Sequence, residues 1–250
     1  LPRQTSKRTL FFCQSCGQES PRWMGFCPAC NDRTPLVEAP MPDTSSSRSW
    51  TLTSASEPRE LVSVASEENR RISLRYKEMD RVLGGGLVRG SLALFAGEPG
   101  VGKSTLLLQA ADFVASNGLK VIYASGEESE HQIKLRSDRL GLSGQGLYLL
   151  AETDVDQVIL HLERHLPDLV VVDSIQTLFT EGASSGPGSI AQVRECTLRL
   201  MRWAKTRGAP VILAGHVTKD GTLAGPRVLE HIVDVVMYLE GENLGAHRLL

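Results

Sequence analysis

The stretch of this sequence best equipped for chemistry is Gly97-Glu98-Pro99-Gly100-Val101-Gly102-Lys103-Ser104-Thr105. Its glycines carry no Cβ, so the backbone can curl and turn its N–H groups inward, where they can cradle phosphate oxygens. Lys103 can reach the β- and γ-phosphates of a nucleoside triphosphate, and the Ser104 hydroxyl can hold Mg²⁺. The setting is the one such a loop requires. Leu92 to Ala96 is a short apolar run that reads as a buried strand, and Leu106 to Val114 reads as a helix. The helix start places a partial positive charge behind the phosphates. All nine residues from Gly97 to Thr105 are therefore candidate nucleotide contacts.

A phosphate site of this kind needs a second carboxylate for the metal. Asp173 ends the apolar run Leu169-Val-Val-Val, a strand that buries its sides and presents charge only at its tip. Magnesium is thus expected on Ser104 and Asp173, the competing reading being an Asp that caps the following turn. Hydrolysis also needs a group to orient water. Glu127 and Glu128 stand just past the strand Lys120–Ser125. If that strand neighbours the strand before the loop, its tip faces the γ-phosphate and a carboxylate there can polarise water. Acids that favour a helix start are the alternative. Glu127, nearer the strand, is preferred. His216, at the end of the strand after Asp173, can contact the γ-phosphate and pass its presence to the loop that follows. The catalytic candidates are Lys103, Glu127, Glu128 and His216.

A second chemistry lies near the N-terminus. Cys13-x-x-Cys16 and Cys27-x-x-Cys30 are two knuckles whose four thiolates make the closed tetrahedral shell of a structural Zn²⁺. A segment this short buries too little apolar area to fold without such a metal. Disulfides, or iron held in the same way, are the alternatives. Trp23, between the knuckles, either stacks on a partner or caps the tiny core. The fifth cysteine, Cys196, reads as core.

The 250 residues carry a net charge of −2, so any nucleic-acid contact must come from a local patch. From Pro187 to Arg227 there are seven basic residues against two acids. Arg194, Arg202, Lys219 and Arg227 are the candidate DNA contacts in this stretch, and a solvated helix face is the competing reading. No apolar run approaches the roughly 18 residues that span a bilayer, and Leu10-Phe-Phe12 is too short for a signal peptide. No membrane association and a cytoplasmic location are the expectations.

Three segments must position these groups: a zinc unit over 1–38, a linker over 39–70 rich in Ser, Pro, Thr and Glu, and a catalytic core over 71–250. Within the linker, Leu61–Val64 reads as a short strand or a docking segment. In the core, apolar strands alternate with amphipathic helices, which predicts an α/β fold with a mostly parallel sheet covered on both faces. Gly84–Gly86 ends a helix that begins near Tyr76, and Gly118 closes the one after the phosphate loop. Ser129 with Gln132, and Thr153 with Asp156, are capping patterns ahead of two more helices. A fifth helix runs from about Ile190 to Lys205, and the chain ends in a hairpin, Asp234–Glu240 with Ala246–Leu250.

These motifs together resemble the bacterial RadA (Sms) family of DNA repair proteins. The resemblance rests on the cysteine knuckles, Asp80-Arg-Val-Leu-Gly-Gly-Gly, the Gly97–Gln109 stretch, Ser125-Gly-Glu-Glu-Ser, Val172-Asp-Ser-Ile-Gln, Pro187-Gly-Ser-x-Ala-Gln-Val-Arg-Glu and Gly215-His-Val-Thr-Lys-Asp-Gly-x-Leu-Ala-Gly-Pro. It implies a RecA-like, DNA-dependent ATPase that forms hexameric rings, binds single-stranded DNA and promotes branch migration of recombination intermediates. ATP, Mg²⁺ and Zn²⁺ are the implied cofactors, and a RecA-type recombinase is an implied partner. A regulatory assembly similar in fold to the KaiC proteins, with the zinc unit recruiting protein partners, is the alternative. Two departures matter. Leu74-Arg75 stands where the family has Thr-Gly, and the sequence stops at Leu250, before the expected Lys-Asn-Arg-Phe-Gly motif and Lon-protease-like domain. A chain without those parts is expected to bind nucleotide yet turn it over poorly.

Overall fold

Strands in which every residue is apolar and many are β-branched cannot leave either side in water, so they collect in one sheet that helices must cover. The computed structural model describes residues 9–13, 19, 20, 22–28, 33, 36–40, 60–63, 71–183, 186–216, 229–241, 248 and 249. Near the N-terminus, β1 (Thr9–Phe12) pairs antiparallel with β2 (Glu19–Ser20) and β3 (Val37–Pro40). Buried Cys13, Cys27 and Leu36 form a small cluster there, with Phe11 and Met24 against it. Trp23 is 61% exposed, so it does not cap this core. Cys16 and Cys30 lie outside the described residues. Leu61–Ser63 is a single 3-10 turn with Leu61 and Val62 exposed rather than the short strand expected, and Val64 lies outside the described residues.

The main body contains α1 (Lys77–Val82), β4 (Leu92–Gly97), α2 (Lys103–Ser116), β5 (Val121–Ser125), α3 (Glu130–Arg139), β6 (Leu147–Ala151) and α4 (Val155–His165). It continues with β7 (Leu169–Asp173), α5 (Ile190–Arg207), β8 (Val211–His216), β9 (Val235–Gly241) and β10 (Arg248–Leu249). The sheet order is β10-β9-β4-β8-β7-β5-β6. The strands from β9 to β6 run parallel, and β10 turns back antiparallel on β9 as the expected hairpin.

The period of two along each strand sorts side chains to two faces. Ala93 and Phe95 of β4, Tyr123 of β5, Val171 of β7 and Ile212 of β8 pack with Met79 of α1, Leu107, Leu108 and Ala111 of α2, and Ile133 of α3. Leu94, Ile122, Val172 and Leu213 face the other way, against Val158 and Leu162 of α4 and Val193, Cys196 and Leu200 of α5. Cys196 is core, as its position suggested, and burial pushes its thiol up to about 12.

The helix starts follow local chemistry. Ser129 and Gln132 form the reciprocal capping box at α3. At α4 the cap is Asp154, which accepts from the Asp156 N–H at 2.9 Å, rather than Thr153. Ser189 caps α5. Of the four long helices described, α2 alone starts with no capping side chain and no acid in its first turn. Its free N–H groups are left for something else.

Candidate active site

Parallel strands deliver their carboxyl ends to one edge, and the register aligns the candidate residues there. Gly97 of β4 sits beside His216 of β8, and Asp173 of β7 beside Ser125 of β5. The strand after the α2 helix does not neighbour the strand before the phosphate loop. Strands β8 and β7 lie between β4 and β5, so the neighbour premise behind placing Glu127 is corrected. With strands about 4.8 Å apart, Gly97 and Ser125 stand about 14 Å from each other. Glu127 reaches the centre by another route. It leaves β5 and leans back across β7, where the Ser174 hydroxyl donates to its Oε1, and on to β8, where His216 Nε2 donates to the same oxygen at 3.0 Å. Among the described residues, both of these hydrogen bonds fall on Oε1 and none on Oε2.

This lean requires Gly126. A Cβ there would come within 2.2 Å of Thr177 Oγ1 and 2.9 Å of Thr153 Cγ2. Glu128 takes a different path and forms an ion pair with Arg136 of α3, whose side chain is only 12% exposed. Of the two adjacent carboxylates, the structure thus brings Glu127 to the strand tips and commits Glu128 to a helix. A cleft of about 290 Å³ opens between the β5 and β6 tips, lined by both and by Glu152.

On the loop side, α2 begins directly at Lys103 after Gly102, whose φ of 105° is ready for glycine. Gly97 has no room for a side chain, since a Cβ would meet the Leu239 carbonyl oxygen at 2.4 Å. The Lys103 ammonium donates to the Gly97 and Glu98 carbonyls at 2.8 and 2.9 Å. Burial lowers its pKa, and the charges of Asp173 and Glu127 oppose that shift. The His216 hydrogen bond holds the Glu127 carboxyl below its ordinary range, helped by Ser174 and the charges of His216 and Lys103, against the effect of burial. The Lys103 charge thus feels both the Asp173 and the Glu127 carboxylates.

Asp173 is 3% exposed, and its Oδ1 has no hydrogen-bond partner among the described residues. A buried carboxylate oxygen with nothing to bond is costly unless a cation meets it. A hard divalent ion such as magnesium suits this oxygen and the half-buried Ser104 hydroxyl. Its other oxygen, Oδ2, accepts from the Tyr123 hydroxyl at 2.5 Å. Tyr123 was not legible as a site residue, because it occupies an ordinary apolar position in a strand. A hydroxyl on an inward-facing position was the only signal.

Of the candidate DNA contacts, Arg194 and Arg202 are exposed on α5, and Lys219 and Arg227 lie outside the described residues. The neighbouring cations are drawn to acids, most of them distant in sequence. Arg199 pairs with Asp156 and Glu195, Lys205 with Asp234, and Arg207 with Glu163.

The fold and this cluster define a RecA-like ATPase domain. A family model described as an AAA domain matches residues 55–222, more than half of the chain, and the chain belongs to that family. Its curated relatives are named DNA repair protein RadA. That of Bacillus subtilis (strain 168) is 46% identical over 247 residues, covering 97% of this chain and 54% of the relative. That of Halalkalibacterium halodurans is 49% identical over 247 residues, covering 98% and 54%, and that of Listeria monocytogenes 47% over 248, covering 99% and 54%. The resemblance read from the motifs thus extends over nearly the whole chain, which spans about half the length of these relatives. A solved KaiC-like protein from Pyrococcus horikoshii OT3 is 20% identical with a TM-score of 0.58, covering 72% of this chain and 85% of its own, and shares the fold. No described helix is long and apolar enough to cross a membrane.

Proposed function

We propose that this chain is the nucleotide-hydrolysing part of a ring-forming, DNA-dependent ATPase that acts in recombinational repair in the cytoplasm. In this reading it works on single-stranded DNA and branched intermediates, as a homo-hexamer alongside a RecA-type recombinase. The observation that carries the proposal is the meeting of Lys103, Asp173 and Glu127 at the carboxyl ends of the parallel strands, next to a helix start with no cap of its own. The backbone N–H groups between Gly97 and Thr105, of which Pro99 has none, bind the phosphates, and Lys103 places its charge on the terminal ones. Ser104 and Asp173 would hold Mg²⁺, which neutralises charge building between the β- and γ-phosphates.

Glu127 orients the attacking water through Oε2. Its lowered pKa makes it a weak base, so aiming the water is its main contribution, with the proton passing on to phosphate or solvent. His216 and Ser174 fix the carboxylate by sharing Oε1, and His216 connects that grip to the segment after β8. The four thiolates of Cys13, Cys16, Cys27 and Cys30 hold Zn²⁺ in the N-terminal unit. Burial of Cys13 and Cys27 beside Leu36 supports this, and exposed Trp23 supports a partner contact there. Zinc content that is unchanged in a Cys13→Ser, Cys27→Ser double variant refutes the shell.

The decisive experiment is ATP turnover by the full-length protein with and without single-stranded DNA. Lys103→Ala is expected to lose nucleotide binding. Glu127→Gln is expected to bind ATP normally while turnover falls about 10²- to 10⁴-fold. Wild-type turnover in Lys103→Ala removes the active site proposed here. Absence of both DNA stimulation and salt-sensitive DNA binding removes the motor function and leaves the regulatory alternative.

A further inference from the structure

We propose that Tyr123 is a positioning residue for the metal-binding carboxylate: its sealed phenol holds Oδ2 of Asp173 and thereby leaves Oδ1 alone to face the cation of the bound nucleotide. The inference rests on the Mg·ATP reading of the site and concerns how the chain prepares for that ion.

Tyr123 is fully buried in the middle of β5, on the face covered by α2. The residues that share this face in other strands of the sheet include Phe95, Val171 and Ile212. Packing alone therefore asks for a hydrocarbon, and Phe would fill nearly the same volume. A phenol at this depth needs a partner, and it has a charged one. Its hydroxyl donates to Asp173 Oδ2 at 2.5 Å, the length of a charge-assisted O–H···O⁻ bond. The same phenol oxygen lies 3.4 Å from the Ser104 carbonyl oxygen. One side chain thus touches the tip of β7 and the first turn of α2, the two elements whose side chains are the candidate metal ligands.

The competing partner shows why a tether matters. Lys103 is buried close enough for its charge to feel Asp173, yet its ammonium is bonded to the Gly97 and Glu98 carbonyls. An Asp173 carboxylate free to rotate would turn toward that ammonium and close the site against a second cation. The phenol restrains that rotation by holding Oδ2. The oxygen that remains, Oδ1, is buried and unpartnered among the described residues, which is the state a carboxylate needs to meet a metal without first breaking a protein bond. Partners of metal ligands that fix orientation in this way typically change metal affinity or activity by about 10- to 100-fold when removed.

The test is Tyr123→Phe in the full-length protein, read by equilibrium binding of a fluorescent ATP analogue in EDTA and across a magnesium titration. Binding of Mn²⁺ followed by electron paramagnetic resonance gives a second readout. The expected result is an affinity in EDTA within about twofold of wild type, with the half-saturating concentration of either metal raised about tenfold. Adding Tyr123→Phe to Asp173→Asn should change the metal dependence no further, because the phenol acts through that carboxylate. An unchanged metal dependence, or an EDTA affinity that falls as far as the metal-supported one, overturns the proposal. Should Tyr123→Phe fail to fold, a fluorotyrosine at 123 keeps the volume and makes the donor more acidic. A metal midpoint that then stays put overturns the proposal, and one that moves supports it. Failure of the underlying reading looks different: wild type itself would bind no nucleotide, or bind it without regard to Mg²⁺ and Lys103→Ala.

Discussion

Two neighbouring glutamates are held in different ways. Glu127 lies under two hydrogen bonds to one oxygen, and Glu128 under an ion pair to a nearly buried arginine. The His216 bond is the largest cause of the lowered Glu127 pKa. In the proposed role Glu127 works ionised, so activity is expected at higher pH and is expected to fall as pH drops through its folded pKa, below the ordinary value of 4.5. Any stability gained from this pair follows the same sign, present above the unfolded pKa and lost in acid. His216→Ala should therefore raise the Glu127 pKa and move the acid limb of the pH–rate profile of the full-length protein upward. A limb that stays in place would show that Nε2 contributes nothing to the carboxylate's charge state. Glu128→Gln should behave differently. It breaks a pair with a side chain 12% exposed, so a loss of about 1 kcal/mol is expected in a denaturant titration, with turnover of the same order as wild type.

At the scale of elements, two backbone positions decide local geometry. Arg75 has φ of 79°, the left-handed region where a Cβ is penalised. Leu74 before it is buried, and its N–H donates to Asp80 at 2.8 Å, so the turn into α1 is held and Arg75 accepts the strain. This is the place where the sequence departs from the Thr-Gly of the family it resembles. Arg75→Gly should raise stability by about 0.5–1 kcal/mol, relief of strain outweighing the extra freedom of glycine when unfolded. No gain in a chemical melt would show that the conformation costs little. Gly126→Ala should cost about 1–3 kcal/mol by crowding Thr177, and should reduce turnover more than nucleotide binding because Glu127 moves with it. These elements were legible to different degrees. The strand β7, the capping box of α3 and the phosphate loop follow from local pattern, and each appears where the residues put it. The order of the strands does not follow from pattern, since a crossover over β8 and β7 leaves no mark in β5 itself. Glu127 leans to the strand tips although β5 does not neighbour β4, the condition on which its position was argued, and Thr153 lost its cap to Asp154 because both offer an oxygen one residue apart. Tyr123 stayed hidden because its partner, Asp173, is fifty residues away.

Over the whole molecule, charge pairing decides which surface a nucleic-acid backbone can use. Counted along the sequence, Pro187–Arg227 has seven bases and two acids. The fold adds acids that sequence distance conceals, because α4 packs beside α5. Asp156 and Glu163 take Arg199 and Arg207, and Asp234 reaches Lys205 at 3.4 Å. Of the described cations in this stretch, exposed Arg194 takes part in none of these ion pairs, and exposed Arg202 is the other candidate DNA contact on α5. In a protein of net charge −2, any affinity for a nucleic-acid backbone must come from such local contacts, and each phosphate engaged on a single strand contributes about −0.7 to the slope of log affinity against log salt. Changing Arg194 and Arg202 together to Ala should make that slope shallower by about 1.4, measured by anisotropy of a labelled single strand on the full-length protein. Arg207→Ala should leave the slope alone and lower stability slightly, as expected for an exposed ion pair. A slope that is indifferent to the first pair but shifts with Arg207 would mean that DNA displaces Glu163 from its partner, and the binding face would then run along the seam between α4 and α5.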